Sequence, residues 1–176
     1  MSNILTALEK IDIDADESFN IDASFKSYES KAGIGMLLRD ETGLCRAGRS
    51  ITIWAGTAEQ AEGLALHSAV TWARELGYLQ VIFEGDSKSI MDYLNHGFAD
   101  IGWRTKNILD ECLIIAKSFN CCKFGFVYRT ANCVADCLAK KACNGGQDDS
   151  WTLNPPPFLF DALNSDLTVT GARPTR

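Results

Sequence analysis

The chain has no excess of positive charge: its 17 Lys and Arg face 23 Asp and Glu, for a net charge of −6. That excludes tight nucleic-acid binding by bulk charge, because an acidic protein repels phosphate backbones at long range. Any work on nucleic acid must come from a local site, from cations or from a partner. Long apolar runs are missing too; nothing approaches the roughly 18 residues that a membrane span requires. The first residues, Met1 to Glu17, are acidic and lack the apolar core of a secretory signal. Seven cysteines, an odd number, are present without a C-x-x-C pair. Cys121, Cys122, Cys133 and Cys137 therefore lack the spacing of a zinc site. Reduced thiols in a soluble intracellular protein are the expectation. Histidine is scarce, with only His67 and His96, and neither repeats nor low-complexity stretches occur.

What is present is ordinary globular composition, 46% apolar and 23% charged over 176 residues, enough for one domain with its own core. We expect an acidic leader over 1–18, a domain over 19–146 and a proline-containing tail over 147–176, where Pro155-Pro156-Pro157 excludes helix and central strand. Phe158, Leu159, Phe160 and Leu163 are apolar enough to pack that tail back onto the domain.

Within the domain the hydrophobic period changes along the chain. Phe19, Ile21, Ala23 and Phe25 alternate with Asn20, Asp22 and Ser24, a period-2 strand. Ala32 to Arg39 and Leu44 to Ile53 are two more strands around the turn Asp40-Glu41-Thr42-Gly43, so these three should be antiparallel neighbours. Thr57 to Gln60 has the form of a capping box, and a helix runs from there to the stop at Gly77. Leu79 to Phe83 reads as a strand buried on both faces. A short helix over Ser87 to Leu94, a longer one over Thr105 to Phe119, a strand over Lys123 to Arg129 and a last helix capped by Asn132 complete the pattern. The order β-β-β-α-β-α-α-β-α implies an α/β fold: a mixed five-stranded sheet, three antiparallel strands plus two parallel ones, flanked by helices.

Four acids merit separate weighing. Asp22 interrupts an alternating strand, where Asp is a poor strand former, although a solvent-facing position would explain it. Glu62 lies in the first turn of a helix, where the helix dipole favours acids in any case. Asp86 closes a buried strand, the place where α/β proteins hold ligands, and would serve equally as an N-cap. Asp136, one turn into the last helix, reads alone as surface decoration. Glu84, two residues before Asp86, is a rival on the same strand but lies further from its end. The four share a topological position that a mixed sheet can bring to one edge. Carboxylates so gathered repel unless cations join them, and hard oxygen ligands select Mg²⁺ or Mn²⁺ over zinc.

Four segments in order carry a resemblance: Phe19 to Phe25, Ala61 to Ala65, Val81 to Ser87 and Val127 to Ala139. They resemble the blocks of the ribonuclease H family, and best its plant reverse-transcriptase-like variant, which ends in R-x-x-N-x-x-A-D-x-L-A. That ending is read here from Arg129 to Ala139, with a glycine-rich second strand from Gly33 to Asp40. The resemblance implies a ribonuclease H-like fold and a metal-dependent endonuclease cutting the RNA strand of RNA–DNA hybrids. It implies two Mg²⁺ ions, with Mn²⁺ as a substitute, on Asp22, Glu62, Asp86 and Asp136. Asp22 would bridge both, Asp136 would complete the site that activates water, and Glu62 with Asp86 the site at the leaving 3′ oxygen. Ser24, Asn132 and Arg129 are the implied nucleic-acid contacts. Two departures stand out. Phe126, Val127 and Tyr128 occupy the stretch where bacterial relatives carry a histidine, leaving Arg129 as a stand-in. The basic protrusion is also missing between Asn95 and Thr105, where Trp103, read as a core residue, has only Arg104 and Lys106 nearby. Both point to slow turnover or to a protein partner that supplies grip. A non-catalytic binding or regulatory module is the alternative. A related exonuclease is disfavoured, since Asp22-Ala23-Ser24 lacks an Asp-x-Glu motif.

Overall fold

The computed structural model describes residues 17–170, with side chains through residue 165. The expected leader therefore lies outside the described residues as far as Asp16, while Glu17 and Ser18 open the first strand.

Three strands, β1 (Glu17–Ser24), β2 (Ala32–Arg39) and β3 (Cys45–Ile53), form the antiparallel meander. Helix α1 (Ala58–Leu76) follows. Thr57 caps it by accepting the Gln60 N–H at 3.0 Å, and Gly77 ends it in the left-handed region at φ 80°. The Gln60 side chain reaches back to Gly56 N–H at 2.7 Å, one residue beyond the usual capping-box partner. Then come β4 (Gln80–Gly85), α2 (Lys88–His96), α3 (Trp103–Ala116), β5 (Cys121–Phe126), a 3-10 turn (Arg129–Ala131) and α4 (Cys133–Cys143). Strands β4 and β5 run parallel to β1, giving the expected three-plus-two arrangement.

The sheet has a sixth strand, β6 (Asp149–Thr152), and its order is β5-β4-β1-β2-β3-β6. This corrects the five-strand count. The outer edge of β3 presents unpaired backbone groups, which the returning chain covers by pairing antiparallel with Ala47 to Ser50. Four residues beginning Asp-Ser carry no period-2 signal. The fit instead depends on Gly48, whose missing side chain leaves room for the Trp151 ring. Beyond it, Leu159 is fully buried and the last helix, α5 (Phe160–Thr170), carries Leu163 onto the same cluster.

Two cores lie on opposite faces of the sheet. On one, Phe19, Ile21, Ile34, Met36 and Phe83 meet Leu66, Ala69 and Trp72 of α1 and Leu109 and Cys112 of α3; Phe19 and Trp72 pack edge to face at 5.5 Å. On the other, Leu37 meets Val134, Leu138 and Leu159. Trp103, expected in the core, is 68% exposed. It is the first residue of α3, whose inward face is taken by Thr105, Leu109 and Cys112.

Helix α4 lies against β2 because two positions there have no side chain. A Cβ on Gly35 would fall 2.0 Å from the Ala135 carbonyl oxygen, and one on Gly33 2.1 Å from that of Ala139. Gly35 pairs with Asp22 across the β1–β2 ladder. The close approach therefore carries the first turn of α4, with Asp136, up to the strand that bears Asp22.

Candidate active site

Register places two of the acids. Strands β1 and β4 pair in parallel from Glu17 with Val81 to Ile21 with Gly85. One step further along that register, Asp22 and Asp86 stand side by side at the carboxyl ends of adjacent strands, the usual ligand-binding end of such sheets. The third acid, Glu62, comes from the start of α1. Carboxylate oxygens of Asp22, Glu62 and Asp86 all lie within 4.8 Å of one another. Among the described residues this is the group of possible metal ligands that converges; the seven cysteines are free and form no such cluster.

Asp136 is the neighbour of this triad. It stands close enough to Asp22 to help raise that carboxyl, but its oxygens also face two cationic side chains. Oδ2 accepts from Lys140 Nζ at 2.6 Å, and Oδ1 lies 3.7 Å from Arg129 Nη2. Arg129, 73% exposed, also places its Nε 3.9 Å from Asp86 Oδ2. Lys140 was not singled out by its sequence, although its i+4 spacing from an acid on a helix is the signal that finds such pairs.

The electrostatics follow from burial. Asp22 is 2% exposed, and burial, with Asp86 and Asp136 close by, pushes its carboxyl up to about 8. Burial also drives Glu62 up to about 9, with further contributions from Asp22 and Asp86. One oxygen of Asp22, Oδ2, is buried without a hydrogen-bond partner, and such an atom is costly unless something meets it. A hard divalent cation fits an orphaned carboxylate oxygen among further carboxylates.

The remaining expected residues are distributed around this cluster. Ser24 ends β1 and is half-buried. Asn132 is 1% exposed; its amide donates to the Ile21 carbonyl at 2.8 Å instead of capping α4. That bond fastens the start of α4 to β1 one residue from Asp22. Glu84 accepts from Asn20 at 2.9 Å. Both histidines are elsewhere, His67 3.4 Å from Glu111 and His96 at the end of α2. Phe126 and Tyr128, both exposed, pack edge to face at 5.4 Å on the loop leading to Arg129.

A mixed sheet with helices on both faces, and acids gathered at the ends of its central parallel strands, defines the ribonuclease H-like class of α/β proteins. A family model described as reverse transcriptase-like matches residues 20–142, and the chain belongs to that family. Solved structures agree on the fold. An RNase H1 from the halophilic archaeon Halobacterium salinarum aligns with a TM-score of 0.69 and 23% identity over 74% of this chain and 99% of that one. The N-terminal RNase H domain of a Mycobacterium tuberculosis protein, solved as a fusion with maltose-binding protein, aligns with a TM-score of 0.68 and 20% identity over 74% and 95%. LC11-RNase H1, in complex with an RNA/DNA hybrid, gives a TM-score of 0.67 and 21% identity over 74% and 98%. No curated protein matches the chain by sequence. No helix among the described residues is long and apolar enough to cross a membrane.

Proposed function

We propose that the chain is a divalent-metal-dependent endonuclease that hydrolyses the RNA strand of RNA–DNA hybrids. One observation carries this reading: three carboxylates, from β1, from α1 and from the residue just past β4, converge within 4.8 Å around a buried, unpartnered oxygen of Asp22. Family membership, and a structural neighbour bound to an RNA/DNA hybrid, support the choice of substrate.

Asp22, Glu62 and Asp86 would hold one Mg²⁺, or Mn²⁺, and Asp22 with Asp136 a second; the chemistry such ions would supply is activation of a water and neutralisation of charge at the leaving 3′ oxygen. The protein's own part is positional. Burial of Asp22 and Glu62 keeps competing water away and raises the cost of leaving them uncompensated. Asn132 holds α4, and with it Asp136, against β1. Arg129, which is exposed, would meet a backbone phosphate, and Ser24 at the strand end would meet a 2′-hydroxyl, the group that distinguishes RNA from DNA. With a net charge of −6, long-range attraction of the hybrid is weak, and a protein partner would supply the missing grip.

The test is cleavage of a hybrid labelled on its RNA strand, in Mg²⁺ and in Mn²⁺. Cleavage that leaves 5′-phosphate ends and disappears in Asp86→Asn is the expected result. Absence of cleavage by the full chain at high enzyme concentration overturns it. A second reading, a non-catalytic nucleic-acid-binding or regulatory module, is favoured by the two cationic side chains on Asp136. It predicts hybrid binding without cleavage, and a cellular role that survives Asp22→Asn.

A further inference from the structure

The four acids are unequal in their surroundings, and the inequality has a direction. Asp22, Glu62 and Asp86 face one another with an orphaned oxygen among them. Asp136 has a positive side chain on each oxygen, Lys140 at 2.6 Å and Arg129 at 3.7 Å. Lys140 stands four residues after Asp136 on the same helix, the favourable order for an acid and a base, so the pair is built into α4. Its side chain is nevertheless 56% exposed. Exposed pairs of this kind are weak, and a long flexible stem lets the ammonium swing into solvent.

A divalent ion arriving at Asp136 must share that carboxylate with the lysine ammonium or displace it. An ion arriving at the triad does not meet Lys140; Arg129, 3.9 Å from Asp86 Oδ2, is common to both places, so the lysine is what sets Asp136 apart. We infer that Lys140, backed by Arg129, is an internal counter-ion for Asp136, so that this acid set takes up divalent cations in two unequal steps. The first fills Asp22, Glu62 and Asp86. The second, at Asp22 and Asp136, follows only when the lysine leaves. Lys140 is thus a positioning residue that sets the cation concentration at which the site is complete. This rests on the metal-site reading above.

Isothermal calorimetry of the full chain with MnCl₂ tests it without substrate. The wild-type chain should bind one Mn²⁺ tightly and a second more weakly by about tenfold or more, the scale of like-charge repulsion over a few ångströms in a partly solvated site. Lys140→Gln should tighten the second step about tenfold and leave the first unchanged. Lys140→Arg, which keeps the charge, should retain the wild-type pattern. Lys141→Gln is the control for net charge: Lys141 pairs with Asp149 at 2.8 Å, and its loss should move neither step. Asp136→Asn should remove the second step alone.

Two equal steps in the wild-type chain, an unchanged second step in Lys140→Gln, or an equal effect of Lys141→Gln would each overturn the inference while leaving the metal site standing. If no variant binds Mn²⁺, both the inference and the reading beneath it fall.

Discussion

Asp40 and Asp22 are almost equally hidden, 5% and 2% exposed, yet they are opposite kinds of carboxylate. Burial alone would push both up. Around Asp40 it is outweighed. Oδ1 accepts from the Thr42 hydroxyl at 2.5 Å and from the backbone N–H groups of Thr42 and Leu44 at 3.0 Å each, and Oδ2 meets Arg46 at 2.6 Å. The net result holds Asp40 below the ordinary carboxylate range. Around Asp22 the neighbours are more acids, one oxygen has no partner, and the group rises to about 8. A buried acid with every lone pair met pins a turn. One left unmet beside two others marks a place for something the chain itself does not supply.

The comparison can be broken most severely at Asp22. Asp22→Asn should lower hybrid cleavage at least about a hundredfold, more than the loss of an outer-shell partner costs at a metal site, while the folded chain persists. Hybrid cleavage assays beside circular dichroism check both halves. Asp40→Ala should leave the cleavage chemistry intact and cost about 1–3 kcal/mol of stability, read as a lower urea midpoint. Gly35→Val tests how the fold delivers the fourth acid. The added carbons collide with the Ala135 carbonyl, so about 1–3 kcal/mol should be lost and the second Mn²⁺ step weakened before the first.

A gentler test uses pH. Without divalent ions, Asp22 and Glu62 hold protons up to about 8 and about 9, against ordinary values of 3.8 and 4.5. Between those limits the folded state binds protons that the unfolded state has released, so stability falls as pH rises across the window. Asp40 has the opposite sign, contributing above its ordinary value and losing that contribution as pH falls. The melting temperature of the metal-free chain should therefore decline from pH 5 to pH 9, and Asp22→Asn should flatten the decline. The same decline should be reversed by Mg²⁺. An excess of about a hundredfold over the dissociation constant is worth about 2.7 kcal/mol, roughly 5–10 °C at this chain length. A decline that Mg²⁺ leaves untouched would separate the raised carboxyls from any cation site.

Much of this was legible along the chain. Period-2 alternation located β1, and Thr57 with Gly77 bracketed α1 at both ends. The turn at Asp40 was visible from its composition, though the exchange of bonds that satisfies its carboxylate was not. Helix α3 begins at Trp103 instead of Thr105 and ends at Ala116, with Phe119 reaching the core from the loop beyond. The expected strand to Arg129 stops at Phe126, where pairing with β4 runs out and the chain turns. Trp103 was misplaced because a large aromatic in a connection says nothing about which side of the chain it occupies. Strand β6 escaped notice because edge pairing needs a partner strand more than a pattern of its own.

What the amino-acid order determined alone was therefore local: which segments alternate, where helices begin and stop, and which acids stand at the ends of strands. Periodicity and capping are short-range effects and can be read from neighbours in the chain. The tertiary structure alone decided that the oxygens of Asp22, Glu62 and Asp86 meet, that Gly35 lets α4 bring Asp136 beside them, and that Lys140 and Arg129 reach this last acid first. Those outcomes depend on strand register and on how closely two backbones can approach, quantities fixed between segments far apart in sequence.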